Sequence, residues 1–502
     1  MPQVPIVSGI YTDGAGDVRV AYPVNLVPVP KNSGVSTGYL RPGDGIVQNG
    51  TGPGVDRGGI EWDGVCYRVM GTKLVTVASD GTVTTLGDVG GTGLVSMDYS
   101  FDLLGIASGG NLFFWNPSTS TLTQNTDPDL GTVLDVVWID GYWMTTDGQY
   151  IVVTDILNPL AVLPFSYDGA EADPDPVTAL LRLRNEVYAL NRHTIEVFEN
   201  IGGGFFPFAP ISGAQIQKGC VGTQACCVFV EMVAFLGSGR NEAPGIYLGA
   251  NANANKISTQ EIDDLLMTYA EAQLALVKLE ARNDRAHQHL YVHLPDRTIV
   301  YDHSASQVLE QVVWFTLTST LVGFSQYRAR NLVWCYDKWL VGDPQSSAIG
   351  YMVKDIGSHW GQRVRWEFGT PIVYNESNGA LFQELELVAL TGRVVPITAP
   401  ADILDILTPS LVLDFIDQDY EVVYPYDVVI GYPTITTSYS LDGLSWSQDR
   451  TITAGATGDT KKRLVWLRQG FMRNWRIQRF RGDSRAHLSF MRLEARLEPL
   501  AH

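Results

Sequence analysis

Short apolar runs alternate with Asp-Gly and Gly-Gly dipeptides through the first third of this chain, and that punctuation leaves few folds open. Asp63-Gly64, Asp80-Gly81, Gly109-Gly110, Asp140-Gly141 and Asp147-Gly148 each separate residues of strand type. Such dipeptides supply the positive φ of tight hairpins, so the chain is expected to run as a meander of antiparallel strands. A larger unit recurs: apolar strand, turn, aromatic-bearing strand, polar turn, strand. Its second strands are placed at Tyr67, Phe113, Tyr142, Tyr188, Val233, Tyr291 and Trp339, at separations of roughly 30 to 60 residues that bracket a propeller blade.

Many short strands need their edges covered, and a closed ring of blades does this because each blade covers the next. The fold class expected is therefore mainly β: a six- or seven-bladed β-propeller, with a β-sandwich plus a barrel as the alternative. Residues 1–55 are read as an N-terminal arm and the start of the fold, 56–360 as the propeller, and 361–502 as a C-terminal β-sandwich-like domain. With 45% apolar and 18% charged residues in 502, the chain has material for large cores. One segment departs from strand character. Ser258-Thr-Gln-Glu261 reads as a capping box, and Ile262, Leu265, Leu266 and Tyr269 follow at helical spacing, predicting a short helix that decorates a blade.

Charge is distributed unevenly. Between Lys73 and Arg182 there is no Lys or Arg over 108 residues, against 13 Asp and one Glu. A folded surface of that kind repels nucleic acid, anionic membranes and other polyanions. An acidic insertion at about 394–449 repeats the pattern, with nine acids and no cation. The basic end, 461–502, reverses it with 11 Lys or Arg against three acids, on a chain whose net charge is −19. There Arg468, Arg473, Arg476, Arg479, Arg481 and Arg485 are interleaved with Trp466, Phe471, Trp475 and Phe480. Aromatic and guanidinium groups in this mixture suit single-stranded nucleic acid, but guanidinium groups also pair with carboxylates at protein interfaces. The acidic remainder of the chain favours subunit or partner contacts.

Cys66, Cys220, Cys226, Cys227 and Cys335 form an odd set without a paired C-x-x-C arrangement, read as reduced, mostly buried thiols of a protein made in the cytosol. No signal peptide is visible, and the most apolar run, Ala225 to Gly237, is too short to span a membrane. His287, His289 and His293 fall at even offsets on one predicted strand and share a face from which i, i+2 imidazoles could chelate a metal. No carboxylate or Cys is fixed near them by sequence, so they are expected to be structural, with no metal or other cofactor. Gly87 to Gly93 has the glycine density of a phosphate loop without its Lys or following helix. Ser440 to Trp446 is expected to be a hairpin turn with Trp446 packed beneath it. No nucleophile elbow, H-E-x-x-H or catalytic Cys signature occurs, so the expectation is not an enzyme, although a carboxylate pair for glycan cleavage is defined in space rather than in sequence.

Several segments carry a resemblance in their order along the chain. These are Tyr22-Pro-Val-Asn-Leu-Val-Pro, Gly38-Tyr-Leu-Arg-Pro-Gly-Asp-Gly-Ile, Arg57-Gly-Gly-Ile and Tyr67-Arg-Val-Met-Gly-Thr-Lys-Leu, followed by Gly87-Asp-Val-Gly-Gly-Thr-Gly-Leu-Val-Ser-Met and Gln217-Lys-Gly-Cys-Val-Gly. Then come Ile257-Ser-Thr, His293-Leu-Pro-Asp-Arg-Thr-Ile-Val-Tyr-Asp, and Lys462-Arg-Leu-Val-Trp-Leu-Arg-Gln-Gly. Together they resemble the tail nozzle, or tail hub, proteins of short-tailed bacteriophages, often named packaged-DNA stabilisation proteins. Gly202 to Pro210 and the insertion around Ala401 to Asp427 depart from that pattern.

The resemblance implies a virion tail protein made in the host bacterial cytoplasm and assembled as a ring, six copies, below the portal and its adaptor. It would close the head after packaging, retain the DNA and conduct it at ejection. Tail fibres or spikes and a plug or needle would be neighbours. Double-stranded DNA would pass without specific binding, since a cation-poor wall does not adsorb phosphates. Asp127, Asp129 and Asp135, or the 394–449 insertion, are candidates to face the channel; Arg468, Arg473, Arg476 and Arg479 are candidates for subunit or adaptor contacts. A carbohydrate-binding or carbohydrate-cleaving propeller is the alternative function, and a scaffold propeller of a cellular complex is a third.

Overall fold

The computed structural model describes residues 3–4, 11–12, 19–31, 38–170, 173–354, 356–374, 379–392, 433–455, 458–483 and 488–499. Six consecutive four-stranded antiparallel sheets begin with the inner strands Asp56–Trp62, Ser96–Tyr99, Asp135–Ile139, Val177–Leu183, Cys226–Phe229 and Lys278–Asp284. A seventh begins with Arg330–Cys335. Each inner strand touches the next, and Arg330–Cys335 returns to Asp56–Trp62. These are seven propeller blades in a closed ring.

The hairpins follow from the dipeptides. Asp63 and Gly64 have φ of 52° and 74°, and Asp140 and Gly141 have 50° and 91°, the paired left-handed conformation of a type I′ turn. Six of the seven second strands lie where the aromatic pattern puts them. In blade 2, however, Phe113 is on the third strand, Asn111–Asn116. The inner strand there, Ser-Met-Asp-Tyr at 96–99, is too polar to announce itself, so the pattern skips one position.

Ring closure comes from the arm. Gly45–Thr51 pairs antiparallel with Ala348–Val353 and supplies the fourth strand of blade 7. The strands before it leave the propeller: Leu26–Pro30 pairs with Gly38–Pro42, which meets Phe490–Pro499 in a seven-stranded sheet with Ala380–Ala389 and Leu464–Leu467. A second sheet, containing Trp366–Gly369, Trp475–Gly482, Thr434–Ser440 and Arg450–Thr453, faces it. Leu26, Leu40, Trp366, Phe368, Phe480 and Phe490 from both sheets form one core, which is the arrangement of a β-sandwich.

Asn25 ties the two units together. With φ of 52°, it bonds Thr318 N (3.0 Å) and the carbonyls of Thr318 (2.9 Å) and Arg365 (2.7 Å) through its side chain. The predicted helix is present at Gln260–Met267, with Ile262 and Leu266 buried. Its N-cap is Thr259, however, and the Ser258 hydroxyl bonds Asp263 Oδ1 at 2.7 Å, so the expected capping box does not form. All five cysteines are free, and four are buried.

Buried imidazoles make the fold acid-sensitive. His359 bonds Ser319 Oγ at 2.8 Å and lies edge-on to Tyr327; burial pushes its pKa down to about 3 from 6.5. Burial lowers His289 and His293 too. The unfolded chain thus binds more protons as pH falls from 6.5 towards 3, and stability falls with pH through that window. Asp135, raised by burial to about 6 from 3.8, acts in the opposite sense between those values. Replacing His359 by Asn is expected to shrink the loss of Tm between pH 7 and pH 4.5, read by calorimetry. An unchanged acid slope would remove His359 as a cause.

Candidate functional site

Polar residues on or beside the inner strands hold neighbouring blades together. Arg57 in blade 1 donates to the carbonyls of Gly93 (2.6 Å) and Gly90 (2.7 Å) and to Ser108 Oγ (2.9 Å). The glycine-rich loop therefore turns carbonyls inward onto a guanidinium, the opposite polarity to a phosphate cradle. Asp98 in blade 2 accepts Trp138 N of blade 3 at 2.7 Å. Glu280 in blade 6 accepts Asn331 N and Leu332 N of blade 7, each at 3.1 Å, and His293 Nε2 at 2.9 Å. Burial alone would raise Glu280, but Lys278 and His293 hold its carboxyl far below the usual range.

Asp135 belongs to this set. Buried on the inner strand of blade 3, it accepts Leu180 N of blade 4 (2.8 Å), Val136 N (2.9 Å) and the Ser96 hydroxyl of blade 2. Its carboxylate is committed to joining three blades. Asp127 and Asp129 lie elsewhere, on the connection between blades 2 and 3. Asp127 accepts Asp129 N and Val162 N, both at 3.0 Å, while Asp129 is exposed. The three acids are not brought together.

Near the axis, Asp98, Asp135, Arg182, Gln224 and Cys226 help line a cavity of about 220 Å³. A glycan-cleaving propeller needs carboxyls free to act on a substrate. Each oxygen of Asp135 already accepts a hydrogen bond, and Asp98 accepts Tyr99 N at 2.9 Å as well as Trp138 N. The geometry offers that reading no free acid pair in this cavity.

The three histidines share a face of His287–His293 as expected, but they separate into two groups. Asp302 Oδ2 lies 2.6 Å from His287 Nδ1 and 3.3 Å from His289 Nε2, whereas His293 bonds Glu280 and Thr298. Sequence reasoning missed Asp302, which comes from the adjacent strand. Its other oxygen caps the helix His303–Leu309 through Ala305 N at 2.9 Å. One Asp302 oxygen thus caps a helix while the other meets two imidazoles, and the ligand atoms of His287, His289 and Asp302 lie within 4.8 Å of one another, close enough to hold a metal ion. Asp302 is held below the usual carboxylate range because its two His partners outweigh its burial.

The four arginine candidates divide equally. Arg468 and Arg473 are exposed and have no carboxylate partner among the described residues. Arg479 is half-buried, 4.0 Å over Trp446, and donates to Ser438 Oγ at 3.1 Å. Arg476 is fully buried between Phe382 and Tyr439, at 4.1 and 3.8 Å, donating to Gln469 O and Gln478 Oε1. Burial pushes its guanidinium down to about 9. Arg476 is a core residue of the sandwich, leaving Arg468 and Arg473 as the cations that present themselves outward. Arg485 and most of the acidic insertion lie outside the described residues.

Known proteins match this chain in both units. A family described as Bacteriophage P22 Gp10, beta-propeller, matches residues 2–357, and Bacteriophage P22 Gp10, beta-sandwich, matches residues 415–498. Tail hub protein gp10 of Salmonella phage P22 is 28% identical over 413 residues, covering 78% of this chain and 84% of that protein. Among solved structures, the Neurospora crassa Pan2 WD40 domain superposes with a TM-score of 0.40 at 10% identity, over 61% of this chain and 95% of that one. The N-terminal domain of Nup159 gives 0.39 at 8% identity, over 66% and 100%. With its propeller and sandwich both matched, this chain belongs to the Bacteriophage P22 Gp10 family and is a structural protein of a phage tail.

Proposed function

We propose that the protein is the tail nozzle: a ring of six copies below the portal and its adaptor that closes the filled head, retains the DNA and conducts it at ejection. The observation that carries this reading is the 108-residue stretch without Lys or Arg, in a chain matched along most of its length to a tail hub protein. A conduit lined with cations would release counterions and bind phosphate at each step, slowing a passing duplex. An acidic wall leaves the duplex hydrated and free to slide.

Asp129 is the exposed candidate for that wall, since Asp135 is spent inside the propeller. Particles carrying Asp129→Lys are expected to release DNA several-fold more slowly at low salt and to approach the parent rate as salt rises. Unchanged release at both salt concentrations would place Asp129 off the path. Particles made without this chain are expected to package DNA and then lose it, and stable retention in its absence would overturn the nozzle reading.

A further inference from the structure

In a four-stranded meander, the turn between the first two strands and the turn between the last two open on the same face of the propeller. On that face blades 2 to 4 expose large apolar side chains at loop tips: Phe101 is 87% exposed, Leu157 90%, Phe165 68%, Ile201 64% and Phe205 61%. The loops of blades 3 and 4 are neighbours. Phe165 and Phe205 rings are 6.0 Å apart, Ser166 Oγ donates to Phe205 O at 3.0 Å, and Asn200 Nδ2 reaches Asp140 Oδ2 at 3.2 Å. Isolated exposed apolar residues are ordinary, but a contiguous group of this size marks an interaction surface. Its rim is acidic, with Asp102, Asp140 and Asp168 exposed, and its loops in blades 2 and 3 lie in the cation-free stretch.

The sandwich carries the complementary surface. Leu444 is 80% exposed, Leu467 61% and Phe471 45%, beside the unpaired Arg468 and Arg473. The pieces are linked, because Arg450 Nη1 donates to Leu467 O at 2.8 Å and the Tyr439 hydroxyl lies against Gly470. One surface is apolar with an anionic rim; the other is apolar with Arg468 and Arg473 at its Leu467 and Phe471 end and Asp442 beside Leu444, and both belong to the same chain. Two different patches that recognise each other make a head-to-tail contact, the kind that closes into a ring.

We propose that the Leu157, Phe165 and Phe205 face of the propeller receives the Leu444, Leu467 and Phe471 edge of the sandwich from a second copy of this chain, with Arg468 and Arg473 against Asp102, Asp140 and Asp168. This rests on the ring reading above and names the surfaces that would build it.

The test is a charge exchange in full-length protein, supplied during infection to a phage lacking its own copy and read as rings in tails by negative stain. Arg468→Asp with Arg473→Asp on the sandwich, or Asp140→Arg with Asp168→Arg on the propeller, is expected to cut ring-bearing tails at least tenfold. All four changes in one chain are expected to restore at least a third of the parent level. Assembly by either two-site variant, or no rescue by the four-site chain, overturns the pairing. Leu157→Ser and Leu444→Ser, which touch no ion pair, are expected to lower ring yield without moving Tm; a lowered yield accompanied by a lowered Tm, or no loss at all, also overturns it. If the parent chain forms no ring in tails, the ring reading itself falls, which separates the two failures.

Discussion

Asp44→Ala is expected to destabilise the propeller by about 3–5 kcal/mol, the range for removing one partner from a buried ion pair. Asp44 stands where the arm leaves the sandwich and enters blade 7. It accepts Arg41 Nη1 at 2.9 Å and pairs with Arg282 Nη2 on the inner strand of blade 6, both arginines being largely buried. Asp284 accepts Arg41 Nη2 at 2.6 Å and Lys354 after blade 7. Burial would raise Asp44, yet the two guanidinium groups keep it ionised far below the usual carboxylate range. Without it the Arg282 guanidinium, whose Nε already lacks a partner, keeps only Asp284 at 4.0 Å as a counter-charge at the seam that closes the ring. Calorimetry should show the propeller transition falling by several degrees while the sandwich transition moves less. An unchanged propeller transition would mean that the strand pairing of Gly45–Thr51 closes the ring unaided.

Arg476→Ala is expected to cost a comparable amount, about 3–5 kcal/mol, but in the sandwich and for another reason. The side chain fills space between Phe382 and Tyr439 and satisfies Gln469 O and Gln478 Oε1. Alanine would open a cavity and leave those acceptors unpaired. Methionine keeps most of the volume without burying a charge, so Arg476→Met is expected to lose far less. A sandwich transition equally lowered by both would mean that the hydrogen bonds, rather than the packing, dominate. A ring defect in a normally stable Arg476→Ala protein would return this residue to the interface.

Much of the propeller was legible because its signals are local. A two-residue turn needs positive φ, and Asp63-Gly64 and Asp140-Gly141 announce it in the sequence. The helical spacing of Ile262 and Leu266 works in the same way. What stayed hidden depends on contacts between distant residues. Nothing near Gly45–Thr51 says that its partner is Ala348–Val353, some 300 residues away, nor that Gly38–Pro42 joins a strand at the C-terminus. Arg476 and Arg473 look equivalent in sequence, yet one is enclosed by a sheet and the other is not. Asp135 shares its anionic stretch with Asp129 but begins an inner strand, where blade contacts claim it. The exposed loop tip at Leu157 went unnoticed for the converse reason, because apolar residues between strands read as more strand; the Gly202 to Pro210 loop that carries Phe205 stood out, but only as a departure from the family pattern.

Negative-stain imaging of virions and purified tails labelled with an antibody against the chain decides whether this tail protein forms a ring below the portal. Label is expected at the tail immediately below the portal vertex, in six-fold register. Unlabelled particles, or label confined to another part of the tail, would contradict it.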